Sequence, residues 1–217
     1  MLTFVGMTNF VAIFPLSIVV YPGEALHLHI FEPRYKQLIQ ECITDKKNFG
    51  IPAVLDKGLS EWGTLMEITE VSKVYEDGRM DIKTRGLKIF RILEVVNGIP
   101  DKLYNGAIVN YPPNDETHKP ATMQKVLAEV RRLHEMLNVT KDFKKPDNAL
   151  LSYDVAHHAG LSFTQEYELL CLLREDQRLE YLKRHLKKTL PVASGLESLK
   201  ERIKLNGHFK ELKGFNF

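Results

Sequence analysis

Apolar positions in this chain follow two rhythms, which change near residue 112. Before that point apolar runs are short and tend to alternate; after it they recur every three or four residues. In the first part, Phe14 to Tyr21 is β-branched and aromatic, the composition of a buried strand. Pro22-Gly23 forces a turn, because Pro fixes φ and Gly accepts positive φ. Leu26-His27-Leu28-His29-Ile30 then alternates as a half-buried second strand. Pro33 suits a first helical position, where its missing N–H costs nothing, with Glu32 as the cap. Tyr35, Leu38, Ile39, Cys42 and Ile43 carry that helix on one stripe. A short strand follows at Ile51–Leu55 and a longer one at Trp62–Tyr75. In the second of these Met66, Ile68 and Val71 fall out of strict alternation, so a bulge is expected near Thr69-Glu70. Asp77-Gly78 signals a hairpin into Met80–Thr84. Gly86 interrupts the return strand, and alternation resumes through Leu87, Ile89, Arg91 and Leu93. Gly106–Tyr111 closes this half, and Pro112-Pro113 ends it. Short strands with Gly-centred bends predict a small, partly closed barrel.

The second part is helical. Met123, Val126, Leu127, Val130, Leu133, His134 and Leu137 form one stripe, and Thr140–Pro146 is a basic loop. Asp147 or Asn148 can cap a short helix ending at Gly160. Ser162 with Gln165 offers a capping box for a helix through the apolar Tyr167–Leu173 run. A fresh helix is expected from Asp176, its stripe resuming at Leu179, Leu182, Leu186 and Leu190 before Pro191 stops it. Ser194–Leu205 predicts one more helix. The resulting division is a β-barrel over 1–113, a polar linker at 114–120, a helical bundle over 121–193, and a helix and tail over 194–217.

Several of these segments together resemble the Lon substrate-binding (Lon N-terminal, PUA-like) domain family. The resemblance opens on FPLSIVVYPGEALHLHIFEPRY, from Phe14 to Tyr35, with Pro15, Pro22, Gly23, Glu32, Pro33, Arg34 and Tyr35 as its marks. It continues through Gly63-Thr64-Leu65 with Glu67-Ile68, then Asp77-Gly78, Arg85-Gly86 and Arg91, and on to the helical Leu169–Leu190 region. The fold it implies is α+β: an N-terminal PUA-like β pseudo-barrel with one early helix, followed by a C-terminal α-helical bundle. The function it implies is binding of proteins or peptides.

Composition sets bounds on these expectations. Hydrophobic content of 44% and charged content of 27% describe an ordinary soluble globular chain. No segment approaches the ~20 apolar residues of a membrane span, and the N-terminus lacks a signal-peptide pattern, so a cytoplasmic location is expected. The two cysteines, Cys42 and Cys171, fall on apolar helix faces and read as buried, reduced thiols. Residues 1–118 carry 12 Lys and Arg against 15 Asp and Glu, and residues 119–217 carry 18 against 13. That asymmetry is too mild to predict nucleic-acid binding.

Candidate chemistry is sparse. The chain has no GxxxxGK[ST] loop for nucleotide phosphates and no stretch resembling the Ser-Lys protease domain of full-length Lon, so a non-enzymatic role without a cofactor is expected. His27 and His29 lie two apart on a strand but lack a third ligand, and His157-His158 diverge on a helix, so no metal site is expected. His29 reads as a hydrogen-bonded histidine near the helix entrance. Arg34, Arg85 and Arg91 read as ion-paired, with Glu32 or Glu67 as the expected partner of Arg34. The leading reading is a peptide-binding module whose contacts are the exposed members of Phe14, Val20, Tyr21, Phe31, Trp62 and Tyr104, with backbone bonds to a barrel edge adding affinity. One alternative is RNA binding through Lys183-Arg184, Lys187-Lys188 and Lys200–Lys204. Another is an adaptor docking on a protein machine, with the tail from Gly207 (Phe209, Phe215, Phe217) read equally as a docking peptide or as a lid folded back on the helical half. No small-molecule substrate and no membrane partner is expected.

Overall fold

The computed structural model describes residues 9–117 and 119–191, with Lys200, Glu201 and Ile203. These fall in two compact units, divided in sequence between Pro112 and Pro113.

The first unit is an antiparallel barrel. Strands β1 (Asn9–Ala12), β2 (Ala25–Ile30), β3 (Phe49–Leu55), β4 (Gly58–Val74), β5 (Met80–Val96) and β6 (Gly106–Asn110) are ordered β1-β6-β5-β4-β3, with β2 pairing the first part of β5. Single parallel bridges, Ile13 to Gly50 and Leu16 to Ala53, join the chain after β1 to β3 and close the ring. The helix α1 (Pro33–Asp45) buries Tyr35, Leu38, Ile39 and Cys42 on its inner stripe, as its spacing predicts. The hairpin at Asp77-Gly78 forms where expected, and the β4–β5 register slips between Ile68 and Glu70, at the anticipated bulge.

Three expectations for this unit need correction. Phe14–Tyr21 is not a strand but an irregular extended arm. Its apolar side chains are buried at successive rather than alternate positions, from Ile18 through Tyr21, and Pro15 removes a ladder donor. β5 runs on through Gly86, so the interruption expected there is confined to a slip of the β4–β5 register between Gly86 and Lys88. The Gly86 N–H donates to the Glu24 carbonyl (2.8 Å) and its carbonyl accepts from Gly23 (2.8 Å), while a Cβ here would collide with the Tyr21 carbonyl. The glycine therefore lets the arm lie directly against the strand. Glu32 stands at the N-cap position of α1 but makes no capping bond. Its carboxylate accepts from Arg34 instead, Nε at 2.9 Å and Nη2 at 2.8 Å, and so offsets a cation placed at a helix N-terminus.

The second unit holds α2 (Pro120–Met136), α3 (Ser152–Ala156), α4 (Phe163–Leu170) and α5 (Glu175–Thr189). Met123, Val126, Leu127, Val130 and Leu133 of α2 and Leu179, Leu182 and Leu186 of α5 are buried, matching their stripes. The Ser162–Gln165 capping box is present, with both reciprocal bonds. The short helix expected to run from Asp147 to Gly160 resolves into a 3-10 turn, Asp147–Ala149, and the separate α3. Of the helix expected over 194–205, only Lys200, Glu201 and Ile203 lie within the described residues, all in helical conformation. The tail from Gly207 lies outside the described residues.

The polar 114–120 segment was expected to be a linker, but its first residues belong to the second unit. Asp115 N–H donates to the Leu173 carbonyl and the Asp115 carbonyl accepts from Glu175, both at 2.8 Å. Beneath this bridge sits a fully buried ion pair, Arg178 with Glu175 at 2.9 Å. Glu175 also accepts from the Ser152 N–H and hydroxyl, each at 2.6 Å. Arg178 spends its remaining donors on Asn114 Oδ1 (2.8 Å) and the Leu172 carbonyl (2.7 Å), and its guanidinium lies 4.3 Å from the Tyr153 ring centre. Each buried charge is thus both paired and hydrogen-bonded, the condition under which burial is tolerated.

Candidate peptide-binding site

The six aromatic and apolar candidates do not form one surface. Phe14, Val20 and Tyr21 are 4%, 2% and 1% exposed and belong to the barrel core; the Phe14 ring stacks on Tyr35 at 3.8 Å. Tyr104 is buried as well, its hydroxyl donating to Glu41 at 2.5 Å. Only Phe31 and Trp62 reach solvent, and both are half-buried. Trp62 sits opposite Arg91 on β4–β5, with the guanidinium 5.8 Å from its ring centre. Phe31 follows β2 and stacks with His29 at 6.1 Å.

The open apolar surface lies elsewhere, on the distal half of β4. Strand β3 pairs with β4 only as far as Met66, so residues 67–74 pair with β5 on one side and with no strand on the other among the described residues. Cross-strand register then assigns the faces, because directly opposed residues point the same way. Leu28, Ile82 and Val71 lie on one row, and Ile30, Met80 and Val74 on the next. The β2 and β5 members are core residues, with Ile82 and Met80 only 1% and 3% exposed. Their β4 neighbours Val71 and Val74 are 37% and 65% exposed. The core face thus runs out past its cover and ends in an apolar shelf beside an unpaired strand edge.

The other face of the same strands is polar and neutralised by pairing. Glu67 meets Arg85, Glu70 meets Lys83 and His29 meets Asp81, at 2.5, 2.8 and 2.6 Å. Asp81 also accepts from the Tyr75 hydroxyl at 2.8 Å, so its carboxyl is held below its usual range, chiefly by the His29 hydrogen bond. His29 is therefore fixed to β5 rather than to the helix entrance. Tyr75 lies near Lys73 and Arg79, whose charges stand 4.3 and 5.0 Å from its ring centre. The hairpin end forms a shallow groove with His29, Phe31, Lys36, Asp77 and Arg79 along its sides. No group of three His, Cys, Asp or Glu arranged to hold a metal occurs among the described residues.

The residues that mark the family resemblance build scaffold. Arg34 pairs with Glu32, Arg85 with Glu67 and Arg91 with Glu61 (2.9 Å), so Glu67 is not the partner of Arg34. Gly63 faces the β3 backbone, Gly23 turns the chain at φ +82°, and Tyr35 is the stacking partner of Phe14.

Comparison with known proteins agrees with this architecture. The profile of the ATP-dependent protease La (LON) substrate-binding domain matches residues 11–188. The chain belongs to the Lon substrate-binding domain family. A Lon N-terminal domain protein from Xanthomonas campestris superposes with a TM-score of 0.61 at 25% identity, covering 81% of this chain and 98% of that one. The N-terminal domain of a Mycobacterium avium complex Lon protease has the same fold, with a TM-score of 0.61 at 17% identity over 82% of this chain and 98% of that one. In sequence, a LON peptidase N-terminal domain and RING finger protein of Schizosaccharomyces pombe is 32% identical over 98 residues, 36% of this chain. The match spans only 20% of that relative's length. The Lon substrate-binding domain is a recognition rather than a catalytic domain, and within it the open edge of β4 is the part of this chain that sequence reasoning missed. Val71 and Val74 stand among Glu70, Ser72 and Lys73, and the bulge at Thr69 shifts their phase, so the pattern alone did not place them on the core face.

Proposed function

We propose that this chain is a protein-binding module that holds extended, apolar segments of client polypeptides along the free edge of β4. The observation that carries this reading is the exposure of Val71 and Val74 on a row whose other members are core. A client segment laid beside residues 67–74 would satisfy the edge N–H and C=O groups by strand addition. Alternate side chains of that segment would cover the shelf. Backbone pairing is tolerant of sequence, which suits recognition of many unfolded clients. Such a role requires no chemistry of its own and no cofactor.

The basic residues of α5 give less support to an RNA reading. Lys183 and Arg184 both pair with Glu180, at 3.1 and 3.0 Å, as on an ordinary solvated helix face.

Fluorescence anisotropy with a permanently unfolded model protein, and with the same protein folded, tests the proposal. Tighter binding of the unfolded form, lost in the Val71→Lys/Val74→Lys variant, is expected. Equal affinity for both forms would refute it.

A further inference from the structure

A second concave site lies at the mouth of the barrel, away from the β4 shelf in its chemistry and its lining. It encloses about 510 Å³, and its walls include Phe10, Val11, Leu65, Lys88, Tyr104 and Tyr111. Val11 and Leu65 belong to the barrel's core cluster, with Tyr111 packed against it, so the floor is apolar. Lys88 stands directly opposite Leu65 in the β4–β5 register, so its Cβ lies on the Leu65 face while the residue remains exposed to solvent. Its ammonium lies 3.7 Å from the centre of the Tyr111 ring.

The charge balance within the site is informative. Its other charged side chains are Glu41, Asp45 and Lys47. Glu41 is taken by Lys102 (2.8 Å) and by the Tyr104 hydroxyl, and Asp45 by Lys47 (2.8 Å). Cys42 brings no charge, since burial and the nearby Glu41 push its thiol up to about 11. Lys88 alone has no carboxylate partner among the described residues. The pocket therefore presents an apolar floor, walls on which Tyr104 and Tyr111 stand beside the polar Asn9, Asn48, Glu41 and Asp45, and one cation on a ring face with no carboxylate partner.

We propose that the barrel mouth binds a ligand in which a carboxylate stands next to an apolar group, the apolar group on Val11 and Leu65 and the carboxylate on Lys88. The enclosed volume falls within the range usual for small-ligand sites. An ammonium held over an aromatic face has water displaced on that one side, so a carboxylate that approaches along the ring removes little further water there. Two sources share this chemistry: the last residue of a polypeptide, or a small aryl or alkyl acid. A phosphate or nucleotide fits less well, because one lysine would face two or more negative charges with the carboxylates of Glu41 and Asp45 on the same walls.

The test uses the full chain, ¹⁵N-labelled and followed by NMR. It is titrated with a hexapeptide ending in Phe as the free acid, with the same peptide C-terminally amidated, and with 4-phenylbutyrate. Free acid at least ten-fold tighter than amide, with amide shifts at Val11, Leu65 and Tyr111, supports the proposal with a polypeptide end as source. Shifts at these residues with 4-phenylbutyrate, at comparable or better affinity than the peptide acid, support it with a small acid as source. In either case Lys88→Met removes the preference for the acid and Lys88→Arg keeps most of it. Equal binding of acid and amide, failure of all three ligands to shift these residues, or an acid preference that survives Lys88→Met would overturn it. The Val71→Lys/Val74→Lys variant separates the two sites: it weakens capture of unfolded protein roughly ten-fold and leaves the acid preference at the barrel mouth unchanged.

Discussion

Arg85 and Arg178 each pair with a glutamate, yet their surroundings are opposite. Arg85 lies on the outer face of the barrel with its side chain 58% exposed, and its partner Glu67 is 29% exposed. Arg178 and Glu175 are both fully buried. The apolar side chains show the reverse arrangement. The barrel leaves Val71 and Val74 uncovered on its core face, whereas the aliphatic stripes of α2 and α5 are sealed. A charge that is paired on all sides is a structural tie, and a hydrophobic residue left open on an ordered strand is available for binding. Burial, rather than residue type, separates the tied charges of this chain from its uncovered apolar shelf.

Four measurements can break or sharpen that contrast. The largest effect is expected for Arg178→Ala, which strands Glu175 without its partner and should destabilise the helical unit by about 3–5 kcal/mol, read by urea unfolding followed at helical wavelengths. The Glu175→Leu/Arg178→Met double substitution, which removes both charges, should lose clearly less; equal losses would mean that packing, not the ion pair, sets the effect. Next, Val71→Lys/Val74→Lys should weaken binding of unfolded protein roughly ten-fold, while folding stability moves by no more than about 0.5 kcal/mol, as for an exposed site. A comparable loss of stability would make the shelf part of the core.

A smaller effect concerns pH. Burial holds the His134 imidazole below its ordinary range, aided by Lys141 and opposed by the hydrogen bond to the His158 carbonyl. The unfolded chain therefore takes up the proton more readily. Stability from this group is fully present above the unfolded value of about 6.5 and is lost as pH falls through the lower folded value. The thermal midpoint of the helical unit should drop between pH 7 and pH 5, and by less in His134→Gln; parallel pH profiles would contradict this. The smallest change is expected for Arg85→Ala, about 0.2–1 kcal/mol, with salt reducing the difference further.

Much of the fold could be read from local pattern. The α1 stripe, the Asp77-Gly78 hairpin, the bulge by Thr69 and the Ser162–Gln165 box are all decided by residues close in sequence, and each formed where expected. What escaped depends on partners far away. Glu175 and Arg178 look like an ordinary i,i+3 surface pair; only Ser152 and Asn114, 23 and 64 residues distant from their respective partners, turn them inward. The Phe14–Tyr21 composition suits a strand, but its neighbours offer isolated bridges rather than a ladder. The candidate site was harder still. Sequence shows that Phe14, Val20, Tyr21 and Tyr104 are hydrophobic, but not that the core closes over them and stops short of Val71 and Val74.

The arm beneath Gly86 has a consequence for synthesis. Apart from the local Tyr21–Glu24 bonds, residues 13–23 are hydrogen-bonded to Gly50, Pro52, Val54, Thr64, Gly86 and Asn105, all of which leave the ribosome later. During translation this apolar stretch therefore waits for more than 60 further residues before Gly86 and Asn105 complete its cover. Such long-range closure is slow and leaves the stretch open to aggregation. Pulse-labelled hydrogen exchange on stalled nascent chains should find the Gly23 and Phe14 amides unprotected until the β4–β5 hairpin has emerged. On the function proposed above, a protein that holds unfolded segments would itself pass through a stage in which its own N-terminal arm is such a segment.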